Sequence, residues 1–411
     1  MLDSRSIGRQ PLPSISGGGP ERIDRSVSLR RPEHGRDSMS GSIRRIAVRH
    51  LLLPIQLATL ALLLPAVAPA EAEDPETAPR PGWTRAILPV VFSTPETGFG
   101  FGAGALLTYR GENQSAEERP QSLPLFGLYT VKNQMSIALA PDLTLAGGIW
   151  RLGFEISYQK FPLRFYGIGN DTPDAAEEEY TLEGFSFAIR ASRRVTGAFR
   201  SGIAVDLKRP SYPEKEPGGL LDGRRIPGAN GGFYAGAGPL IEWDTRDNLY
   251  FPTRGSRLLL ETLFYGDALG SDLGYQRTAV DLRHYRSVLD DVVLAGQAIG
   301  VDRAGAVPFV DHAQLGDLLR GLYAGRYVDR SVLAGQLELR YPLIGRFRGV
   351  VFGGIGQVAR RLGDTRLDAM KGTAGAGLRF VLVPRERIHI RFDVGVGPHG
   401  AEIYFQFSEA F

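Results

Sequence analysis

After Ala86 the apolar residues recur with period two rather than 3.6, and clusters of Gly, Pro, Asp and Asn separate the alternating runs. Sixteen runs predict strands over approximately 86–94, 98–110, 122–132, 134–145, 150–160, 180–193, 198–208, 231–245, 255–266, 274–287, 291–302, 331–342, 348–358, 370–382, 387–397 and 401–411. In 387–397, Ile388, Ile390, Phe392, Val394 and Val396 alternate with His389, Arg391, Asp393, Gly395 and Gly397, so one face is continuously apolar and the other carries ions. The run 255–266 sets Leu258, Leu260 and Phe264 against Arg257 and Glu261, and 331–342 sets Leu333, Leu337, Leu339 and Tyr341 against Gln336, Glu338 and Arg340. A soluble sandwich buries its apolar face on a second sheet, whereas a membrane barrel points that face at lipid and keeps charge in its lumen. The pattern therefore predicts an all-β fold, a transmembrane antiparallel β-barrel of about sixteen strands over 86–411.

Loop lengths support this reading, because bacterial barrels begin and end in the periplasm, with short inner turns and longer outer loops. With the first strand ascending, 161–179, 209–230, 303–330 and 359–369 are outer loops, and 194–197, 288–290, 343–347 and 383–386 are inner turns. One inner connection, 111–121, is longer than the outer one before it. The last run ends on an aromatic residue, and Phe405, Phe407 and Phe411 resemble the C-terminal signal that barrels present to their insertion machinery. Glu409 breaks the alternation and is expected at the lipid interface, where a carboxylate costs little.

The N-terminal region follows different rules. Leu51 to Ala68 reads LLLPIQLATLALLLPAVA, preceded by Arg44, Arg45 and Arg49 and followed by small residues and the acids Glu71, Glu73 and Asp74. That order predicts a secretory signal, and Pro54 and Pro65 bracket a core too short for the roughly 20 apolar residues of a membrane span. The expected organisation is a signal peptide over 39–72, a short periplasmic segment over 73–85 and the barrel beyond it. Residues 1–38 have no apolar periodicity and are expected to be a disordered leader, most simply explained by translation from Met39.

Composition agrees with an exported all-β chain: 52 Gly, 21 Phe and 15 Tyr against 4 Met, and no Cys. The net charge of +3 comes from the leader, where ten Arg face five acids in residues 1–50, leaving the body at −2. Nucleic-acid binding by the body is excluded on that basis, since it needs a clustered cationic surface.

Two stretches are more specific. One is Gly238-Pro239-Leu240-Ile241-Glu242-Trp243-Asp244-Thr245-Arg246-Asp247-Asn248, followed by Phe251-Pro252-Thr253-Arg254-Gly255. The other runs from Leu319-Arg320-Gly321-Leu322-Tyr323 through Arg326-Tyr327 to Leu337-Glu338-Leu339-Arg340-Tyr341-Pro342. Together they resemble the bacterial surface-antigen barrel of the outer-membrane assembly-factor superfamily, the BamA/TamA group. The resemblance implies a periplasmic turn built on Asp244, Arg246, Asp247, Asn248, Pro252, Arg254 and Gly255, and a sixth outer loop folded into the lumen. It implies a latch in which Arg320, beside Gly321, reaches Glu338 and a second carboxylate. The family pattern would put that second carboxylate at Gly354, so Asp393 or Asp302 is expected to substitute. Family members that insert proteins carry POTRA domains before the barrel. None is expected between the signal and the first strand here, so a separate periplasmic partner would have to supply that role.

Three functions follow. The first is insertion or translocation of protein or lipid at a thin seam between first and last strands, where Pro89 and the strip Gly98, Gly100, Gly102 and Gly104 weaken the edge. The second is a passive or structural barrel, a plugged pore or a surface antigen. The third, an enzyme, finds no template, because His284, His312, His389 and His399 lack companions at triad or dyad spacing. No catalytic residue, metal or cofactor is expected, and the acidic run Asp171, Asp174 and Glu177–Glu179 lacks a calcium-loop spacing. The expected surroundings are outer-membrane lipid and lipopolysaccharide, with the barrel-insertion machinery as a partner during biogenesis.

Overall fold

A computed structural model describes residues 81–94, 98–112, 114, 119–223, 226–384 and 386–411; the expected leader, the signal and residues 73–80 lie outside the described residues. The strands are β1 Gly82–Thr94, β2 Gly98–Arg110, β3 Gln121–Thr130, β4 Met135–Leu139, β5 Asp142–Leu145, β6 Trp150–Phe165, β7 Glu178–Thr196, β8 Phe199–Lys215, β9 Tyr234–Asp244 and β10 Gly255–Tyr265. They continue with β11 Tyr275–Leu289, β12 Val292–Gly305, β13 Ala313–Gln314, β14 Val328–Asp329, β15 Ser331–Pro342, β16 Phe347–Ala359, β17 Lys371–Val383, β18 Ile388–Gly397 and β19 Gly400–Phe407. Seventeen belong to one antiparallel sheet, and β13 pairs with β14 inside the long connection between β12 and β15.

Each strand of the sheet pairs with its neighbour in the chain, β12 passing over the loop pair to β15. β4 and β5 both lie between β3 and β6 and are two halves of one strand interrupted at Ala140-Pro141, where Pro141 has no N–H to give the ladder. That leaves sixteen positions around an all-β barrel. The ends of the sheet come round to each other: Arg110 of β2 meets Glu386 of the β17–β18 turn at 3.2 Å. Among the described residues no ladder joins β1 to β19.

The burial pattern is inverted relative to a soluble protein. On β15, Leu337 is 60% exposed while Glu338 and Arg340 are 1% and 0% exposed. On β10, Phe264 is 52% exposed and Glu261 2%. Apolar side chains facing out and ions facing in is the distribution a bilayer selects.

The strands differ from the sequence expectation in three places. β1 starts at Gly82, so Gly82–Arg85 belong to the sheet rather than to a linker, with Gly82 opposite Arg110. β6 and β8 run to Phe165 and Lys215, several residues past the expected ends at 160 and 208. The inward positions of β6 change there from Ser157 and Gln159 to Phe161, Leu163 and Phe165, all buried. The inward face thus turns from polar to apolar, which resembles a loop in sequence although the pleat continues. These side chains pack with Tyr180, Tyr212, Phe309 and Val328. Finally, β19 ends at Phe407 rather than continuing to 411: Ser408 takes φ 63°, and the last residues turn inward.

The connection between β12 and β15 fills part of the lumen. Its Leu315, Leu319, Leu322 and Tyr327 bury against Val301, Val332, Ala334 and Val358, inward-facing residues of β12, β15 and β16. Full burial of each Leu contributes roughly 1.5–3 kcal/mol, enough to hold an irregular segment inside the barrel.

Candidate functional site: the lumenal loop tip and the seam

At the tip of this loop Arg320 is buried and bonds two carboxylates from different strands. Its guanidinium donates to Asp393 of β18 at 2.6 Å and to Glu338 of β15, and it lies 3.6 Å over the Phe352 ring of β16. The planar fork suits this paired recognition, and stacking on an aromatic face adds a cation–π contact. Asp302 is elsewhere: it accepts from the Ser331 hydroxyl and the Leu362 N–H at the base of the loops. Gly354 lies under the loop, where an added Cβ would come within 2.7 Å of Leu319 Cδ2. The loop side chain occupies the room a longer residue there would need, and the second carboxylate comes from β18.

Gly321 makes the close approach possible. Its φ is 96°, and a Cβ would meet Val396 backbone atoms at 2.8 Å; facing it, a Cβ on Gly395 would meet the Gly321 nitrogen at 2.7 Å. The Gly321 N–H donates to the Tyr404 hydroxyl of β19 at 2.7 Å, tying the loop tip to the last strand.

The ion network extends beyond the sequence-predicted residues. Arg340 Nε donates to Glu338 at 2.8 Å, Arg379 reaches both Asp393 and Glu409, and the Arg379 Nε–Glu409 bond is 2.8 Å. The Glu409 side chain is thus enclosed by guanidiniums, 2% exposed, and does not sit at the lipid interface; the turn at Ser408 carries it inward, where cations compensate its desolvation. Phe411 follows it, buried beside Tyr285, with its backbone oxygen accepting from Arg340 at 3.2 Å. Phe405 stays on β19 opposite Phe392, and the Phe407 backbone closes the strand opposite Ile390. Alternation in the sequence puts Arg340 on the lumenal face with Glu338 but does not join it to the latch, and it gives no sign of the parts played by Arg379 and Tyr404.

Between the loop and the two edge strands lies a cavity of about 570 Å3, lined by Leu88 of β1, Leu106, Phe126, Leu319, Arg320 and Phe405 among others. The loop tip, the latch and the unladdered edges therefore share one space.

At the opposite, turn-side end, Asp244 holds Arg246 through two 3.0 Å bonds and also pairs with Arg119 across the lumen. Asp247 accepts from the Thr253 N–H at 2.8 Å, the Thr253 hydroxyl at 2.6 Å, the Arg254 N–H at 3.2 Å and Arg387 at 3.1 Å. Asn248 Oδ1 accepts the N–H groups of Tyr250 and Phe251, both at 2.8 Å. Pro252 is buried, and Gly255 has φ 98°, with a Cβ there only 2.2 Å from the Thr245 oxygen. Burial pushes the Asp247 carboxyl up, but the Thr253 hydroxyl and the backbone donors outweigh it and hold it below the ordinary carboxylate range.

Residues 144–411 match the Omp85 superfamily domain. No curated protein matches the sequence. Among solved structures, CdiB from Acinetobacter baumannii aligns with TM-score 0.50 at 10% identity, covering 79% of this chain and 59% of that one. BamA from Haemophilus ducreyi lacking POTRA domains 1–3 aligns at 16% identity and TM-score 0.49, covering 80% of this chain and 70% of that one. The chain thus spans under two thirds of CdiB, and that similarity is one of fold.

Proposed function

Because the chain belongs to the Omp85 superfamily, we propose that it is an outer-membrane assembly or translocation barrel that admits its clients, protein or lipid, between β1 and β19, with a separate periplasmic partner delivering them. The observation that carries this reading is the missing ladder. Every other neighbouring pair of strands exchanges backbone hydrogen bonds, whereas β1 and β19 have none between them among the described residues. Unpaired edges are templates for strand addition. Behind them the 570 Å3 cavity offers apolar side chains, and Arg320 lines it, so the latch at Glu338 and Asp393 holds the loop tip where a client would arrive. Gly321 serves that placement by letting the loop backbone approach β18 and Tyr404. The turn around Asp244, Arg246, Asp247, Asn248, Pro252, Arg254 and Gly255 acts as a rigid periplasmic corner, and Phe405, Phe407 and Phe411 serve as the insertion signal during the chain's own biogenesis.

The test is to place Cys at Leu88 and Gln406, which line the same cavity from the two edge strands, and join them with a bis-maleimide in the folded barrel. Loss of client insertion in reconstituted vesicles, restored when a cleavable linker is cut, supports the seam. Undiminished insertion by the linked barrel overturns it.

A second reading, a passive plugged pore, draws on the burial of the loop against the lumen wall. Deleting 306–330 should then raise planar-bilayer conductance severalfold, and an unchanged conductance argues against a plug.

A further inference from the structure

The turn-side end of the lumen contains a cationic cavity that neither the seam nor the loop latch uses. It measures about 230 Å3 and is lined by Arg110, Arg119, Arg151, Arg194, Arg200 and Arg246, against the carboxylates Asp244, Asp247 and Glu386. Asp244 is already shared between Arg119 and Arg246, and Arg151 pairs with Glu242. Arg194 and Arg200 differ. They are direct cross-strand partners on β7 and β8, a like-charge placement that destabilises a sheet. Among the described residues neither forms an ion pair with a carboxylate, although Glu242 of β9 stands opposite Arg200: Arg194 donates to the Gly147 oxygen at 2.6 Å, and Arg200 to the oxygens of Gly148 and Ile149. Arg200 is nevertheless buried, and Arg151 Nε, also facing this space, has no hydrogen-bond partner. Burial, together with Arg151 and Arg246 close by, pulls the Arg119 guanidinium down, as expected where positive charge is crowded.

We propose that Arg194, Arg200 and Arg151 form an oxyanion site at the periplasmic mouth that takes the carboxylates of an acidic peptide segment. Guanidinium forks bind carboxylates bidentately, as the neighbouring Arg246 does with Asp244. The cavity takes one or two side-chain carboxylates rather than a folded domain. Three resident carboxylates in its wall disfavour a dianionic phosphate relative to a monoanionic side chain. Its wall includes the turn residues Gly147, Gly148, Gly197 and Ala198. The acidic segment has two sources. One is a periplasmic protein. The other is this chain, whose acids Glu73, Asp74 and Glu76, in the expected periplasmic segment, precede Gly82 in sequence, and Gly82 pairs with the cavity residue Arg110.

The proposal uses the orientation assigned above. Binding measured in detergent does not require the seam to open, so its failure is distinguishable from failure of the assembly reading. The probe is a fluorescent Glu-Asp-Pro-Glu peptide, titrated at low ionic strength into the full chain and into the chain with Glu73→Gln, Asp74→Asn and Glu76→Gln. The expected result is saturable binding to the substituted chain, at least tenfold weaker in Arg194→Gln and recovered in part by Arg194→Lys. Arg194 is exposed, so these changes should leave the barrel intact, as checked by heat-modifiable migration. Tighter binding to the substituted than to the unsubstituted chain identifies the chain's own segment as the source, and equal binding identifies a partner in trans; either supports the site. No binding to either chain, binding indifferent to Arg194→Gln, or displacement by inorganic phosphate at lower concentration than by unlabelled peptide overturns it.

Discussion

At Arg320 the protein places a guanidinium out of water, and two buried carboxylates make that tolerable. Removing one member leaves the others desolvated and undercompensated, an effect of about 3–5 kcal/mol for a buried pair. Arg320→Ala should therefore lower the unfolding midpoint in urea far more than truncation of an exposed loop arginine such as Arg361. Arg320→Lys should recover only part of the loss, because an ammonium cannot serve Glu338 and Asp393 while stacking on Phe352. Gly321→Ala tests the backbone: with φ at 96° and Val396 atoms 2.8 Å from the new Cβ, it should cost about 1–3 kcal/mol and free the loop tip, read as protease cleavage within 315–325. Asp247 gives a pH signature. Its folded pKa is depressed, so its contribution is complete above the ordinary carboxylate value and disappears as pH falls through the lower folded value. Asp247→Asn should flatten the acid limb of the stability profile and lower stability at pH 7; an unaltered acid limb would show that Asp247 does not control it.

At the scale of elements, alternation made most strands readable because lipid and lumen impose opposite chemistry on successive residues. It failed where that opposition ends. β6 continues through Phe161, Leu163 and Phe165 because, beyond the polar stretch of the lumen, inward side chains bury against the loop rather than face water. The end of β19 failed for a different reason. Residues 401–411 alternate well as a string, but Glu409 gains more from Arg379 and Arg340 than an interfacial carboxylate would, and one positive φ at Ser408 redirects the chain. The latch was partly legible. Arg320 and Glu338 stand in recognisable motifs, whereas the choice of Asp393 over Asp302 depends on curvature that brings β18 beneath the loop, and no spacing encodes that. The terminal turn makes its own prediction. Glu409→Gln removes the carboxylate shared by Arg379 and Arg340, so residues 408–411 should leave the lumen and become sensitive to carboxypeptidase. A tail that remains protected would mean that the Phe411 contacts with Tyr285 and Arg340 suffice alone.

For the molecule as a whole, the inverted distribution of side chains means that the barrel owes its fold to the solvent it sits in. Exposed Leu337, Leu339, Ile355 and Phe392 would drive aggregation in water, whereas in a bilayer they cost nothing and the buried ions of β15 and β18 form the interior. A charge on the outer face should therefore be penalised according to depth, unlike a surface charge on a soluble protein, which typically changes stability by under about 0.5 kcal/mol. Leu337 lies in the middle of β15, and Val288 lies next to the end of β11 at a tight turn; both side chains are exposed. Leu337→Arg should destabilise the barrel in lipid vesicles by roughly 2–4 kcal/mol, and Val288→Arg by about 0–1 kcal/mol. Urea titrations of both variants in thin- and thick-chain phosphatidylcholine should show the Leu337 penalty growing with bilayer thickness. Equal penalties at the two positions would mean that the apolar face of β15 meets something other than lipid.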